Sequence, residues 1–350
     1  MKEVKLVFVG FGTVAQGCAR HLVRLAPRLQ REFGFTYKVV AVTDIVKGST
    51  QNIDEGIDLS KALEAVDKGK RSGEQVPLGK IEFSSIDTIK TSGADILIEA
   101  TWTNLKDGEP GLTHIVTALE NGMDVVTSNK GPIALAFRKL RKLAESRGRS
   151  LRFESAVMSG TPIFNLHEFC LAGARIDGLR GILNGTTNYM LTEMASGKSY
   201  NDALKQAQEL GYAETDPSGD VEAHDPAAKV TILANVLMNA ELNYKDVPRD
   251  GITHITGDDI RRAAEESKRI KLIASASRHE DGQVEAEVKP TLLPDSAFLA
   301  HVAGVTNALQ ISTDVQPDVT IVGPGAGGDS AGYGLVSDIL AVHRLRSGTK

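Results

Sequence analysis

One short stretch of the chain concentrates side chains that can do chemistry. Residues 211–229, GYAETDPSGDVEAHDPAAK, contain five carboxylates, one histidine and one lysine, and the almost wholly apolar segment VTILANVLMNAEL follows them. A cluster of carboxylates binds an ammonium group through charge-assisted hydrogen bonds, and a lysine transfers protons at neutral pH when its surroundings lower its pKa. The stretch is interpreted either as a polar pocket or as a solvated loop that leads into a buried helix.

The spacing within this stretch predicts how its lysine is held. Asp225 is expected to cap the N-terminus of the following helix, with Pro226 at the first helical position. Lys229 then comes four residues after Asp225, so the two side chains meet on one helix face. The helix dipole disfavours a cation in the first turns whereas the carboxylate favours it, so the two effects on the lysine pKa oppose each other.

A glycine-rich turn near the N-terminus predicts a phosphate-binding site. The segment VKLVFVGFGTVAQG places Gly10, Gly12 and Ala15 in a G-x-G-x-x-A spacing between an apolar strand and a helix. The first glycine permits a tight turn, the second lets a pyrophosphate approach the backbone, and a small third residue lets helix and strand pack closely. A second strand, YKVVAVTD, ends at Asp44, where an acidic residue is expected to meet the adenosine ribose. Together these features predict a bound dinucleotide.

Strands and helices alternate through the first part of the chain. This order predicts a Rossmann-type α/β fold, a doubly wound parallel sheet with helices on both faces. The middle of the chain has a mixed order, which predicts a second α+β domain, and the last glycine-rich turn and helix predict a return to the first domain. The expected domains are residues 1–155 with 318–350, and residues 156–317. The polar stretch between Ile45 and Glu82 is expected to be an insertion or a mobile loop.

Composition excludes several classes of protein. The formal net charge is −5, whereas a general nucleic-acid binder needs a basic surface, so no nucleic-acid partner is expected. Two cysteines, Cys18 and Cys170, cannot form a disulfide framework, and Cys170 is expected to lie in the core on an apolar helix face. The N-terminus has no signal-peptide pattern and no apolar run reaches the length that spans a bilayer. We therefore expect a cytoplasmic protein without membrane contact.

Four motifs, in order along the chain, resemble those of homoserine dehydrogenase. They are VVTSNKGPIAL (125–135), GILNGTTNYML (181–191), the acid-rich stretch 211–229 and GPGAGG (323–328). The resemblance implies an NAD(P)-dependent oxidoreductase that interconverts L-aspartate 4-semialdehyde and L-homoserine, a step in the synthesis of threonine and methionine. It also implies a homodimer formed through the second domain, which would be the substrate-binding domain. Because little sequence follows GPGAGG, no regulatory domain and no feedback inhibition by threonine are expected.

The resemblance also assigns roles to individual residues. It implies that Lys229 exchanges the proton at the substrate C–O group, that Asp220 belongs to the same catalytic set, and that Lys130 lies between cofactor and substrate. The residues implied to bind the substrate are Glu214, Asp220, Asp225, Thr186 and Tyr212. The residues expected to bind NADP or NAD, from the glycine-rich pattern and the resemblance together, are Gly10, Phe11, Gly12, Thr13, Val14, Asp44, Thr101, Lys130 and Gly327. A sodium ion is implied at backbone groups of Glu154, Val157, Ser159 and Thr161.

Two other functions stay open at this point. Aspartate-semialdehyde dehydrogenase needs a nucleophilic cysteine, and the segment HEFCLAG around Cys170 offers no activating turn. A protein that senses a dinucleotide without turnover would need neither Lys130 nor Lys229. Cofactor choice is open as well. Asp44 favours NAD, Lys47 three residues later can meet a 2′-phosphate, and the resemblance leans slightly towards NADP, so both cofactors are expected to be usable.

Overall fold

Two sheets organise the chain, and each belongs to one of two compact units. The computed structural model describes residues 3–72, 78 and 84–348. One unit comprises Met1–Gly160 and Gly327–Lys350, and the other comprises Thr161–Ala326. The return to the first unit therefore begins at residue 327, whereas the sequence placed it at residue 318. The reason is that residues 319–324 pair with the preceding strand of the second sheet.

The first unit is built on a six-stranded sheet. Its elements begin with β1 (Val4–Val9), α1 (Thr13–Phe33), β2 (Tyr37–Asp44), β3 (Gly48–Gln51), α2 (Leu59–Ser72), α3 (Ser85–Thr91), β4 (Ile96–Glu99), α4 (Gly111–Glu120), β5 (Asp124–Thr127), α5 (Lys130–Ser146), β6 (Leu151–Arg152) and α6 (Ser155–Met158). The sheet order is β3-β2-β1-β4-β5-β6, and all neighbouring pairs are parallel except the edge pair β2–β3. The predicted Rossmann-type parallel sheet is confirmed.

Strand β1 ends in a continuous apolar run that is buried on both faces of the sheet. Leu6, Val7, Phe8 and Val9 of β1 are each at most 1% exposed. In a parallel sheet this burial on both faces replaces the alternation of polar and apolar residues. The carboxyl ends of β1, β2, β4 and β5 lie at one edge of the sheet, which is where ligands bind in such folds.

The stretch from Ile45 to Glu82 is predicted to be an insertion or a mobile loop, and the structure contradicts the loop. It contains β3, which extends the sheet, and α2. The α2 residues at positions i, i+3, i+4 and i+7 pack against the sheet with at most 9% exposure, and they are Leu59, Ala62, Leu63 and Val66. This spacing is a helical periodicity that the lysines and glycines around it obscured. Residues 73–77 and 79–83 of the stretch lie outside the described residues.

The second unit is built on a five-stranded antiparallel sheet. Its elements are α7 (Phe164–Cys170), β7 (Ile176–Ile182), α8 (Gly185–Ala195), α9 (Tyr200–Glu209), α10 (Ser218–Val221), α11 (His224–Leu237), a 3-10 turn (Tyr244–Asp246), α12 (Gly257–Glu265), β8 (Lys268–Arg278), β9 (Val284–Pro294), a 3-10 turn (Phe298–His301), β10 (Thr306–Thr313) and β11 (Val319–Pro324). The sheet order is β11-β10-β7-β8-β9. Helices α8, α11 and α12 contact β8, which fits the predicted α+β character of this part of the chain.

Helix α13 (Gly328–Ser347) completes the first unit by packing along α1. The two backbones approach so closely that a Cβ at Gly17 would lie 2.1 Å from the Gly328 carbonyl oxygen. Neither helix, nor any other within the described ranges, combines the length and the apolar content that crossing a membrane requires.

Candidate active site

The glycine-rich turn joins β1 to α1 in the first unit. Gly10 has a φ of +84°, and a Cβ there would lie 2.6 Å from the Ala100 carbonyl oxygen, so only glycine fits. Gly12 is the N-cap residue of α1, and a Cβ at this position would meet no atom within 4 Å. Thr13 and Val14 form the first turn of α1. Because N–H groups at a helix N-terminus bind phosphate, the predicted residues of this turn fit a dinucleotide pyrophosphate.

Asp44 ties the second strand to this turn. Its Oδ2 accepts a hydrogen bond from the backbone N–H of Phe11 at 2.8 Å. Its Oδ1 accepts from the backbone N–H groups of Val46 at 3.0 Å and Lys47 at 2.9 Å. Burial raises the pKa of the Asp44 carboxyl, but the three N–H donors and the Lys47 ammonium, 3.5 Å away, outweigh burial and hold the pKa below its usual range. Asp44 is therefore a charged carboxylate at neutral pH.

Two of the predicted cofactor residues can offer a ligand only backbone groups. The Phe11 ring is fully buried and packs edge-on against Phe8, with centroids 5.8 Å apart, so only the Phe11 backbone can face a ligand. Gly327, with a φ of +114°, is the N-cap residue of α13. The next residue touches the turn, since a Cβ at Gly328 would lie 2.3 Å from Thr13 Cγ2. The starts of α1 and α13 therefore lie side by side.

Thr101 and Lys130 lie at the next two strand ends of the first unit. Thr101 follows β4, and Lys130 is the first residue of α5, just after β5. Asn129 joins them, because its side-chain amide donates to Thr101 Oγ1 at 3.3 Å and to the Trp102 carbonyl oxygen at 3.1 Å. The structure thus connects Thr101 to the residue that precedes Lys130.

Helix α11 in the second unit begins two residues earlier than predicted. Ala223, with a φ of +65°, is its N-cap residue, and His224 is its first residue. Asp225 and Pro226 are the second and third helical residues, so the prediction that Asp225 is the N-cap is wrong. The Asp225 carboxylate points elsewhere, because its Oδ2 lies 2.7 Å from Lys229 Nζ.

Lys229 is held by two acceptors in a buried position. The residue is 6% exposed, and its ammonium donates to the Leu183 carbonyl oxygen at 2.7 Å as well as contacting Asp225. The predicted contact between residues four apart on the helix is present. An ammonium carries three N–H donors, so with two of them directed at these acceptors a third can reach a substrate oxygen.

Asn184 binds two of the five carboxylates of the acid-rich stretch. Its side-chain amide donates to Asp220 Oδ1 at 2.6 Å and to Asp225 Oδ2 at 3.1 Å. Its own Oδ1 accepts from the backbone N–H and the hydroxyl of Thr187, both at 2.9 Å, which caps α8. Burial, followed by the nearby Asp225 carboxylate, raises the pKa of the Asp220 carboxyl, and hydrogen bonds and Lys229 only partly oppose this.

The remaining predicted substrate residues lie at the rim of this cluster. The Thr186 hydroxyl donates to the Tyr212 carbonyl oxygen at 2.7 Å, so Thr186 is tied to the acid-rich stretch. The Tyr212 side chain is 42% exposed and stacks edge-on against Tyr189. Glu214 is exposed, and its backbone carbonyl accepts from Gln208 Nε2 at 3.1 Å. The structure therefore brings Lys229, Asp225 and Asp220 together, but not the side chains of Tyr212 and Glu214.

The residues predicted to bind sodium are buried in both units. Glu154, Val157 and Ser159 are at most 3% exposed in the first unit, and the Glu154 N–H donates to Asp338 Oδ2 at 2.7 Å. Thr161 belongs to the second unit, where its hydroxyl donates to the Pro324 carbonyl oxygen at 3.1 Å. Among the described residues no three histidine, cysteine or carboxylate side chains converge on a metal position. The sodium ion, which was predicted at backbone groups, stays a prediction.

Both units match family models. Residues 10–154 match the model of the homoserine dehydrogenase NAD-binding domain, and residues 162–340 match the homoserine dehydrogenase model. The chain belongs to the homoserine dehydrogenase family. The family's members are NAD(P)-dependent oxidoreductases that act on a CH–OH group, and this is the reaction class of the chain.

Relatives with similar sequences or structures carry the same family name. An NAD(+)-dependent homoserine dehydrogenase of Pseudomonas canavaninivorans is 43% identical over 98% of this chain and 97% of its own length. The homoserine dehydrogenase of Methanocaldococcus jannaschii is 40% identical over 97% of this chain and 98% of its own length. A crystal structure of a putative homoserine dehydrogenase from Archaeoglobus fulgidus has a TM-score of 0.85 at 36% identity, over 97% of this chain and 99% of that one.

Three residues that hydrogen-bond the predicted site residues or their neighbours are not predicted by the sequence. Asn184 and Asn129 lie within quoted motifs, but nothing local indicates that the first binds two carboxylates and the second binds Thr101. Glu99 is a carboxylate inside the apolar segment ADILIEAT, and it is fully buried. A charged residue in a buried strand was the signal, because such a group needs hydrogen-bond partners. Cys170, predicted to be buried, is exposed, because the last residues of α7 face solvent.

Proposed function

We propose that the chain oxidises L-homoserine to L-aspartate 4-semialdehyde, and reduces it back, with Lys229 as the group that exchanges the hydroxyl proton. The observation that carries this is the position of Lys229 Nζ, 2.7 Å from both the Leu183 carbonyl oxygen and Asp225 Oδ2. When bound, the nicotinamide supplies or accepts the hydride at the carbinol carbon. In the oxidation, the neutral amine of Lys229 takes the proton from the substrate hydroxyl and becomes an ammonium, and in the reduction the ammonium returns that proton to the substrate oxygen.

The two carboxylates near Lys229 are proposed to hold the α-ammonium group of the substrate. Asp220 and Asp225 share the Asn184 amide, so their oxygens converge on one region. Because burial and the neighbouring carboxylate raise the pKa of Asp220, a cation placed between the two acids offsets an unfavourable charge pair. The first turn of α8, with Thr186, offers N–H donors for the α-carboxylate. Tyr212 and Glu214 would complete the rim of the site.

The first unit is proposed to bind the dinucleotide through its glycine-rich turn, with Gly10, Gly12 and Asp44 in the roles that the sequence predicted. The open space at Gly12 and the start of α1 fit a pyrophosphate. Thr101, Lys130 and Gly327 would lie towards the nicotinamide end. The sodium ion, the homodimer, the cytoplasmic location and the place in threonine and methionine synthesis are further proposals that rest on the family resemblance.

Between the two cofactors, we infer that NAD is preferred, which reverses the slight leaning towards NADP that the resemblance implied. Asp44 is a charged carboxylate that already accepts three backbone N–H groups, so a 2′-phosphate near it would meet an unfavourable charge. Lys47 Nζ lies 3.5 Å from Asp44 Oδ1, so part of its positive charge is already compensated by that carboxylate. The relative from Pseudomonas canavaninivorans is described as NAD(+)-dependent. We expect kcat/KM to be about 10-fold or more in favour of NAD, which corresponds to about 1.4 kcal/mol in transition-state binding.

The cofactor inference is tested by two variants. Asp44→Ser is expected to lower the NAD:NADP ratio of kcat/KM, whereas the matched variant Lys47→Ala is expected to raise it by weakening NADP. A wild-type preference for NADP, or an unchanged ratio in Asp44→Ser, contradicts the inference.

The function itself is tested by an assay of reduced nicotinamide with the purified protein. L-homoserine with NAD or NADP is expected to produce it. Aspartate 4-semialdehyde with phosphate and oxidised cofactor is expected to produce none, because that reaction needs a nucleophilic cysteine. Burial raises the pKa of the Cys18 thiol well above its usual range, which makes it a poor nucleophile. A folded sample without turnover of homoserine on either cofactor contradicts the proposed function.

A further inference from the structure

A fully buried carboxylate lies at the carboxyl end of β4, beneath the predicted cofactor edge. Glu99 is 0% exposed and accepts hydrogen bonds from the Thr101 hydroxyl, from the Thr101 backbone N–H at 3.2 Å and from the Thr127 hydroxyl at 2.9 Å. His114 Nδ1 lies 3.6 Å from Glu99 Oε1, the oxygen that Thr101 also contacts, while His114 Nε2 contacts Ser85 Oγ at 2.8 Å. Burial of an acid costs free energy unless donors surround it, so these contacts are needed to keep Glu99 in place.

The hydroxyls of Thr101 and Thr127 connect Glu99 to Asn129 through hydrogen bonds. Each hydroxyl has one proton, and since that proton goes to Glu99, the oxygen is left as an acceptor. Thr127 Oγ1 accepts the Asn129 backbone N–H at 3.0 Å, and Thr101 Oγ1 accepts the Asn129 side-chain amide at 3.3 Å. One carboxylate therefore fixes the direction of the hydrogen bonds that reach both the backbone and the side chain of Asn129.

Asn129 in turn fixes the start of α5. It is the N-cap residue of that helix, and its Oδ1 accepts the Gly131 N–H at 3.1 Å. Its side-chain amide is packed so tightly that a Cβ at Gly111 would lie 2.6 Å from Asn129 Nδ2. Lys130 is the first residue of α5 and comes directly after Asn129. An amide turned by even a small angle would therefore shift the lysine.

We propose that Glu99 is a positioning residue for the reaction, acting through Thr101, Thr127 and Asn129 to aim Lys130. The inference rests on the proposed function, in which Lys130 and Thr101 serve the cofactor end of the site. Glu99 does not touch a ligand, because it is fully buried beneath the threonine hydroxyls. Its effect is on the geometry of the groups above it.

The first test is Glu99→Gln, which keeps the size of the side chain. An NH2 group replaces one of the two carboxylate oxygens. This group is a hydrogen-bond donor, and it faces a threonine hydroxyl that itself donates. We expect kcat for homoserine oxidation to fall about 10- to 100-fold, the effect of a displacement near 1 Å, while the KM for homoserine stays within about threefold. The Kd for reduced nicotinamide cofactor, followed by its fluorescence, is expected to rise, because Thr101 is displaced together with Asn129.

A second pair of variants separates positioning from mere folding. Thr127→Val keeps the shape of the side chain but removes the hydroxyl, so it is expected to reproduce the loss of kcat in Glu99→Gln. Thr127→Ser retains a hydroxyl at this position. Its kcat is expected to stay within about threefold of wild type, because the serine hydroxyl can still connect Glu99 to the Asn129 N–H. The double variant of Glu99→Gln and Thr127→Val should lose little more than either single variant, because both break one chain of contacts.

The matched control is Asp124→Asn, at the opposite end of β5 from Thr127. Asp124 is a buried carboxylate, 2% exposed, that accepts the Ser150 N–H at 2.7 Å. The Asp124→Asn variant is expected to change Tm but neither kcat nor the cofactor Kd. The proposal is overturned if folded Glu99→Gln keeps kcat and cofactor Kd, if it loses no more than Asp124→Asn, or if Thr127→Ser fails like Thr127→Val. If the wild type does not oxidise homoserine, the proposed function falls, and the cofactor Kd of the same variants still decides the role of Glu99.

Discussion

Two buried lysines in the second unit have almost the same burial but different partners. Lys229 and Lys271 are 6% and 5% exposed. Each donates to one backbone carbonyl, of Leu183 at 2.7 Å and of Val302 at 2.6 Å. The second acceptor differs, because Lys229 has the Asp225 carboxylate and Lys271 has the neutral amide oxygen of Asn188 at 2.9 Å.

The difference in the second acceptor has an electrostatic consequence at Lys271. Burial, with a small contribution from Arg269, lowers the pKa of Lys271 to about 8. Its partner Asn188 lies in α8 and donates to the carbonyl oxygens of Gly304 at 2.9 Å and Thr306 at 3.3 Å. Lys271 and Asn188 therefore connect α8 to the segment that leads into β10. Burial alone therefore does not identify a proton-transfer lysine. A carboxylate partner and an adjoining acid cluster distinguish Lys229.

A large effect, second only to the loss of Lys229 itself, is expected when the Lys229 region is made to resemble the Lys271 region. Asp225→Asn leaves Lys229 buried with a carbonyl and an amide as acceptors. We expect kcat to fall about 10- to 100-fold, because the lysine is no longer aimed by a charge and its proton affinity changes. Steady-state rates across pH check this.

A matched control for this variant is Asp202→Asn. Asp202 is also an acid in the first turn of a second-unit helix, where its carboxylate accepts the Ser199 hydroxyl at 2.6 Å. It is expected to leave kcat unchanged. Equal rates for Asp225→Asn and Asp202→Asn would show that the Asp225 carboxylate does not distinguish Lys229 from Lys271.

A smaller effect is expected for Asp220→Asn, which should weaken substrate binding but stabilise the folded protein. Loss of a charged contact to the substrate ammonium should raise the KM for homoserine about 10-fold or more. Because the pKa of Asp220 is raised in the folded protein, the native state binds more protons than the unfolded chain just above the unfolded pKa. The contribution of Asp220 to stability is thus lost as pH rises, and the ionised acid destabilises the ligand-free protein at neutral pH.

Urea unfolding checks the second half of this prediction. Asp220→Asn should have a higher free energy of unfolding than wild type at neutral pH, and the gain should vanish in acid. An unchanged KM together with reduced stability would indicate that Asp220 serves the fold rather than the substrate.

The smallest effect is a pH dependence of stability from Lys271. The folded pKa of about 8 lies below the value of about 10.4 in the unfolded chain, so between these values the unfolded chain binds more protons. The free energy of unfolding contributed by this group therefore rises with pH over that window, and the cost of burying the charge is fully present below it. From about pH 7 to about pH 10, wild type should gain about 2 kcal/mol relative to Lys271→Met. A constant difference between the two proteins would show that Lys271 is not held in a charge-disfavouring site.

Much of the fold could be predicted because its signals are local. The strands β1 and β2, the Gly10–Gly12 turn and the spacing of Asp225 and Lys229 each lie within a few residues of sequence, so their periodicity or spacing is sufficient. Helix α2 has such a signal as well, with Leu59 in its first turn, but the lysines and glycines around the apolar positions obscure it.

The remainder of the site could not be predicted because it depends on contacts between distant segments. Asn184 meets Asp220 only after α8 and α10 have packed, 36 residues apart in sequence. Glu99 meets Thr127 across neighbouring parallel strands. The left-handed conformation of Ala223, which moves the start of α11, has no local signal because alanine rarely adopts it.

The most direct test of the account is the rate of homoserine oxidation in Lys229→Met, with Lys271→Met as the matched control. Both variants remove a buried ammonium of nearly equal exposure, so general effects on folding are shared. We expect kcat in Lys229→Met to fall about 100- to 10,000-fold with the cofactor Kd unchanged, and kcat in Lys271→Met to stay within about threefold of wild type. Turnover by folded Lys229→Met within about tenfold of wild type, or an equal loss in both variants, would contradict the assignment of proton transfer to Lys229.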